Sequence, residues 1–515
     1  MKKILISTVA VSALLLTVSC KTDFDRDVSS VVVTSGNADF KNYIALGNSL
    51  TAGYRDGTLY SDGQNESYPS MIAKQMQLAG GGAFKQPMMP NNVGGFTNLF
   101  NASGGTSFYG KLTLKVVDGA LSPVPSAPGA DLDNVTAGRP YNNMGVPGAR
   151  VSHLLAPGYG NPAGLMTTPK TANPYFVRFA SSTTTSVIAD FIQQQPTFFS
   201  LWIGSNDALL YALAGGDSTI EPLTPPTEFA TYYNLLISQI ATTNAKGVIA
   251  NIPSVTSIPS LTTIPYNPLT VAVLGQGSVE AGNANIDALN AQLYGPLNQI
   301  LTTLGAGDRI KPLSKTAANP LLLKDESIAD LGAQITLVAA NSGNPTLVAL
   351  APYLGATYGQ ARQAKAGDLV PLTTKSAIGS NATLPPTVPT SLAARGIAYP
   401  FEDKYVLTST EVAEVNSAIT AYNQTIKAAA DAKGYAFVDA NAKMVQLNAT
   451  SGIQFDGVKY TATFVTGGSF SLDGVHPTGR GYAILANEFI KAINNKYGST
   501  LPFVNVNTYS GVTFP

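Results

Sequence analysis

The sequence predicts an α/β protein built on a parallel sheet. Two observations carry this. Four short runs, Tyr43 to Leu46, Thr197 to Ile203, Gly247 to Ile252 and Tyr435 to Val438, are apolar, aromatic or β-branched almost throughout, the signature of strands covered on both faces. Between them lie segments with apolar residues at helical spacing, and strands that alternate with helices build parallel sheets. Two of the runs deliver small polar turns, Gly47-Asn48-Ser49 and Gly204-Ser205-Asn206-Asp207, at the strand ends where open parallel sheets place their sites.

Taken in order, Tyr43 to Leu46 is a compact strand and Tyr68 to Leu78 reads as a short helix. Residues 80–140 are rich in Gly, Pro, Asn and Ser, with strand-like alternation only at Lys111 to Val117, and read as an insertion. Asn143 to Gly148 is a turn of the kind that ends a strand. Val187 to Gln194 is helical in pattern and precedes the strand Thr197 to Ile203. Thr227 to Ala245 carries Phe229, Tyr232, Tyr233, Leu236 and Ile240 on one helical face, and Gly247 to Ile252 follows as the next buried strand. No charge occurs from Gly247 to Val279, but Pro253, Pro259, Pro265 and Pro268 exclude a membrane-crossing helix, leaving an extended apolar loop. The alternation lapses over residues 253–402. This stretch holds a helix candidate, Ile286 to Leu304, and a Pro/Thr/Ser-rich section near 371–391, and reads as an inserted cap or subdomain. Thr408 to Lys433, stopped by Gly434, is a long helix, and Tyr482 to Ile493 is a terminal amphipathic one. One core over 40–252 and 403–500 is expected, with a tail over 501–515.

Composition narrows the function. The chain has 515 residues, 31 Lys+Arg against 31 Asp+Glu, and only 12% charged residues, so a broad basic surface for nucleic acid is excluded, as is a disordered acidic tail. The single cysteine, Cys20, excludes an internal disulfide framework. Lys2 and Lys3 precede the apolar stretch Ile4 to Val18, too short to span a bilayer and laid out as a secretory signal. The ending Thr17-Val18-Ser19-Cys20 resembles a bacterial lipoprotein signal peptide, with Thr17 where that motif usually carries Leu. The resemblance implies cleavage after residue 19, lipidation of Cys20, a membrane anchor and a polar tether over 20–39. Lys21, in place of Asp, implies sorting to the outer membrane.

General base catalysis near neutral pH most often uses histidine, and the chain has only His153 and His476. In Asp473-Gly474-Val475-His476-Pro477, a carboxylate three residues before the ring can hold its Nδ1–H, leaving the other nitrogen as base for a hydroxyl nucleophile. Together with Gly47-Asn48-Ser49-Leu50, Gly145-Val146-Pro147-Gly148 and Gly204-Ser205-Asn206-Asp207, this block makes a series that resembles, in order, the motifs of the SGNH/GDSL hydrolases. The resemblance implies a flavodoxin-like three-layer α/β/α fold. It implies Ser49 as nucleophile, His476 as base and Asp473 as the residue orienting it. The implied oxyanion donors are the Ser49 N–H, the Gly148 N–H and the Asn206 side chain, with Gly145 as the alternative glycine. Asn48 stands where the family motif has Asp. The rival Gly-x-Ser-x-Gly elbow fails because Thr51 replaces its second glycine.

Each of these residues also has a plain structural use: Ser49 suits a helix cap, Gly148 a turn, and Asp207 a cap or hydrogen-bond partner. His153 reads as a packed or surface histidine. The sequence contains no metal-ligand cluster and no phosphate loop, so no cofactor is expected. The expected protein is a cell-envelope serine esterase or lipase acting on an ester substrate, either an acyl lipid or an acylated carbohydrate. The alternatives are a carbohydrate O-acetyl esterase and a non-catalytic surface lipoprotein of the same fold.

Overall fold

The computed structural model describes residues 32–99, 108–117 and 119–515. The signal segment 1–19 and Cys20 lie outside the described residues. The centre of the fold is a five-stranded sheet of β1 (Tyr43–Gly47), β2 (Asn143–Gly145), β3 (Phe198–Trp202), β4 (Lys246–Ala250) and β5 (Ala436–Val438). All pairings are parallel and the spatial order is β2-β1-β3-β4-β5, the doubly wound order of flavodoxin-like folds. Every residue of β1 and β3 is buried, which explains why their sequences do not alternate apolar with polar.

Period-two geometry divides β3 between two helical layers. Phe198 and Trp202 meet Tyr497 and Phe489, while Phe199 meets Phe191 on the other side. The first layer holds α1 (Tyr68–Leu78) and the terminal α7 (Gly479–Tyr497), packed against each other. The second holds α2 (Val187–Gln193), α4 (Pro226–Ala241) and α5 (Ser409–Lys433), with α3 (Asn206–Leu213) against the last. α6 (Ala440–Asn448) follows β5. In α5, Thr408 and Glu411 form a reciprocal capping box, and Gly434 ends the helix in the left-handed conformation, the stop that the sequence marks.

Elsewhere the structure moves boundaries. Residues 34–39, assigned to the tether, are fastened to the core: the Asn37 N–H donates to the Tyr497 carbonyl at 2.8 Å and the Thr500 N–H to the Thr34 carbonyl at 3.1 Å. The tail also packs, with Val504 and Val506 buried and Ser510 hydrogen-bonded to Arg55 and Glu66. Within 80–140, Gly110–Val117 and Ala120–Ser126 form an antiparallel hairpin. The stretch after β4 is not extended throughout, since Val255–Ser257, Pro259–Thr262 and Val271–Leu274 are single helical turns. Proline at the first position of a turn starts a helix that it could not continue, as Pro259 does.

The 253–402 segment also divides differently. Val255, Ile258 and Leu261 belong to the main core, whereas a separate apolar cluster runs from Leu269 to Val406. That second core contains two helices the sequence pattern did not reveal, Gly332–Ala340 and Pro345–Tyr358. Among the described residues, no helix is long and apolar enough to cross a membrane.

The carboxyl ends of β1, β2 and β3 meet tightly. A Cβ on Gly145 would lie 2.3 Å from the Ala52 nitrogen and 2.7 Å from the Thr51 carbonyl carbon, both backbone atoms that cannot rotate away. Gly145→Ala is therefore expected to lower stability by about 1–3 kcal/mol, as overpacking does. Urea unfolding measures this, and an unchanged midpoint would contradict the close approach.

Candidate active site

The site lies where the chain reverses its winding direction, between β1 and β3, the position at which doubly wound sheets hold ligands. β1 leads through Gly47 and Asn48 into the single helical turn Ser49–Ala52. Asn48, not Ser49, caps that turn: its side chain accepts the Leu50 N–H at 3.1 Å. Asp and Asn are about equally good caps, so the departure from the family motif keeps the local structure. Ser49 occupies the first helical position, where a backbone N–H has no partner within the helix. Its hydroxyl lies 2.9 Å from His476 Nε2.

His476 comes from the loop before α7. Its Nδ1 donates to Asp473 Oδ2 at 2.9 Å, which leaves Nε2 unprotonated in the neutral ring, facing Ser49. The other Asp473 oxygen accepts the N–H groups of Val475 and His476, each at 2.8 Å, and the Ser471 hydroxyl at 3.1 Å. Burial pushes the Asp473 carboxyl upward, but the His476 ring and these donors outweigh it and hold it below the usual carboxylate range. Asp473 is therefore charged at neutral pH. Gly474 makes the turn possible, with φ of 68° and its carbonyl accepting the Ser260 N–H at 2.9 Å.

Two connections here had no sequence signal. The Gly57 N–H donates to Asp473 Oδ2 at 2.9 Å, and the Asp56 N–H to Ser471 Oγ at 2.9 Å, tying the loop after Ser49 to the histidine loop. Tyr54 lies against the imidazole with ring centroids 4.7 Å apart. No pattern of residue spacing marks these contacts, because the partners are over 400 residues apart in the chain.

Gly148 and Asn206 line one cleft together with Ser49 and His476. Among the described residues, the Gly148 N–H has no hydrogen-bond acceptor. The alternative, Gly145, has its N–H engaged by Asn143 Oδ1 at 3.0 Å. One amide hydrogen of Asn206 Nδ2 goes to the Ala149 carbonyl at 2.9 Å, which leaves the second free. Asp207 fastens the same loop from its other side, accepting the Val151 N–H and the Thr224 hydroxyl, each at 3.1 Å. It is thus a hydrogen-bond partner that fixes Gly148 relative to Asn206. His153 is packed in this loop's helix, its Nδ1 accepting the Arg150 N–H at 3.2 Å, and burial followed by the nearby Arg150 charge lowers its pKa to about 4.

A hydroxyl held by an imidazole can attack an acyl carbon, and three N–H donors without partners among the described residues can stabilise the resulting oxyanion. Fold and site together define an α/β/α protein of the SGNH type. The family model GDSL-like Lipase/Acylhydrolase matches residues 43–319 and 350–489, and the chain belongs to that family. Ester hydrolysis is the general activity that membership assigns. No curated protein matched the chain, and no solved structure did.

Burial raises the Asp207 carboxyl to about 6 against the opposing Val151 N–H, Thr224 hydroxyl and Arg150 charge. Between the unfolded value near 4 and this one, the folded protein binds more protons than the unfolded chain, so stability falls as pH rises from about 4 to about 6. In Asp207→Asn the oxygen can still take the Val151 N–H and the amide can donate to Thr224. The variant is expected to gain up to roughly 3 kcal/mol over wild type at pH 8 and little at pH 4. Denaturant titrations at the two pH values test this, and a gain that does not depend on pH would refute it.

Proposed function

We propose that the protein is a serine esterase in which Ser49, His476 and Asp473 form a catalytic triad, working through an acyl-enzyme. The observation that carries this reading is the unbroken chain of hydrogen bonds from Ser49 through His476 to Asp473, 2.9 Å at each link. As Ser49 Oγ bonds to the ester carbonyl carbon, its proton passes to His476 Nε2, and Asp473 balances the imidazolium charge. The carbonyl oxygen, now negative, accepts from the Ser49 and Gly148 N–H groups and from Asn206 Nδ2. Collapse breaks the carbon–oxygen bond to the alcohol, which leaves with the proton from His476. Water then attacks the acyl-Ser49 carbonyl and gives its proton to His476. A second collapse releases the acid and returns that proton to Ser49.

Labelling with a serine-reactive fluorophosphonate tests the reading. Wild type is expected to label and Ser49→Ala not to. Turnover of p-nitrophenyl esters should fall roughly 10²–10³-fold in Asn206→Ala, the loss of one oxyanion donor. Labelling that persists in Ser49→Ala would refute the assignment.

The same proposal includes location. The N-terminal charge, apolar run and Thr17-Val18-Ser19-Cys20 ending support a lipid anchor on Cys20 and residence in a bacterial cell envelope, at the outer membrane. Such an enzyme would meet acylated lipids or carbohydrates of the envelope. Cys20→Ala is expected to move the protein from the membrane fraction to the soluble one, and unchanged fractionation would overturn the anchor.

A further inference from the structure

An oxyanion donor works only if it is aimed before the charge develops. Of the three donors at this site, the Ser49 N–H is fixed by its helical turn and Asn206 Nδ2 by its bond to the Ala149 carbonyl at 2.9 Å. The Gly148 N–H is the one whose direction local geometry leaves open. Val146 to Ala149 form a β-turn in which the Ala149 N–H donates to the Val146 carbonyl at 3.1 Å and Gly148 has a φ of 81°. That φ belongs to a type II turn, and a type I turn differs from it by roughly a half-rotation of the central Pro147–Gly148 peptide. Proline suits the first central position of either type, and glycine takes either sign of φ. In a trans peptide the carbonyl and the N–H point in opposite directions. A flip that turned the Pro147 carbonyl round would therefore take the Gly148 N–H out of the cleft that Gly148 lines with Ser49.

One buried side chain holds that carbonyl. Asn173 Nδ2 donates to the Pro147 oxygen at 2.8 Å and gives its second hydrogen to the Tyr159 hydroxyl at 3.2 Å. Asn173 Oδ1 accepts the Tyr175 N–H at 3.0 Å, capping the helical turn Pro174–Val177. Both amide hydrogens and the amide oxygen are thus in use, in a residue only 9% exposed. Asn206 and Asp207 grip the same loop at Ala149 and Val151, beyond the central peptide, so they do not set its rotation. On the triad reading above, we infer that Asn173 is a positioning residue that locks the Pro147–Gly148 peptide with its N–H facing the oxyanion. Position 173 needs a carboxamide for this, because a carboxylate of the same shape has no hydrogen for the Pro147 carbonyl and a serine hydroxyl is too short to reach it.

Asn173→Ser tests the assignment, since serine still caps the helical turn. With p-nitrophenyl acetate, kcat is expected to fall roughly 10–100-fold, short of the loss of a whole donor, while KM changes by less than about threefold. Exhaustive labelling with a fluorophosphonate counts the reactive Ser49 sites, so rates per site are independent of any loss of folded protein. Asn173→Asp keeps the shape and the capping oxygen, and its ionised carboxylate donates to neither partner. The same loss is expected from it at about pH 8.5. A double-mutant cycle with Gly148→Ala separates positioning from general damage. A Cβ on Gly148 meets nothing nearer than Asn173 Nδ2 at 3.9 Å, so alanine acts by disfavouring the positive φ and with it the type II turn. If both substitutions release the same peptide, the double variant is expected to lie within about threefold of Gly148→Ala alone, whereas independent effects would multiply. Multiplied losses, or an unchanged kcat in Asn173→Ser, would overturn the positioning role while leaving the triad intact. Absence of any Ser49-dependent turnover in wild type would instead remove the reading on which it rests.

Discussion

The largely but not fully buried carboxylate of Asp473 is the joint on which the site depends. A charge withdrawn from water must be matched by donors, or the fold bears a penalty of several kcal/mol. Asp473 meets this demand from three directions: its own turn through Val475 and His476, the imidazole through Nδ1, and Gly57 from the loop after Ser49. One requirement thus orients the His476 imidazole and docks the Ser49 loop on the histidine loop. Asp56 and Ser471 repeat the docking with neutral groups, and Tyr54 covers the ring. With these contacts in place, the 2.9 Å approach of Ser49 to His476 follows from the positions of two loops rather than from either side chain alone.

Much of the fold was legible because its strands are buried on both faces. Phe198 to Trp202 could be read as a strand without any turn signal, since an apolar run that short and aromatic has few other uses. Helices with a strong stripe and clear ends, such as Ser409–Lys433, were read to within a residue. Gly332–Ala340 and Pro345–Tyr358 were missed for the opposite reason. Both are apolar nearly all round, being rich in Ala, Leu and Val, and pack against each other with one face on the second core and Leu337 and Val348 exposed on the other. Periodicity cannot reveal a helix whose polar face is almost absent. The tether boundary failed differently: Thr34 to Asn37 look like linker, yet their backbone groups bond to residues 497 and 500, which composition does not register.

At the site, what sequence made visible were residues whose type is restricted by chemistry. Few side chains can replace Ser49, His476 or Asp473, and the left-handed turn at Gly474 restricts that position as well. What it hid were backbone donors. Gly57 contributes an N–H that any residue could supply, and the engagement of the Gly145 N–H by Asn143, which sets it apart from Gly148, leaves no mark in residue type. Asn48 shows the same logic in reverse. Its role is to accept the Leu50 N–H, and either an amide or a carboxylate oxygen does that.

The large insert is not simply appended to this core. It leaves after β4 and returns at the start of α5, and both junctions are pinned. On the outgoing side, Ser260 donates to the Gly474 carbonyl within the histidine loop, and a Cβ on Gly474 would come within 3.0 Å of Leu372 of the insert. On the return, Asp368 accepts the Ser409 N–H at 2.8 Å while held by Arg362, which also binds Asp325. A buried Arg between two carboxylates is rigid, because breaking either pair strands a charge. The insert therefore fixes the start of α5 through Asp368 and backs the turn that carries Asp473 through Ser260 and Leu372. Its own packing, from Leu269 to Val406, forms a cluster separate from the sheet, whereas the outgoing junction at Ser260 is bonded directly to the histidine loop.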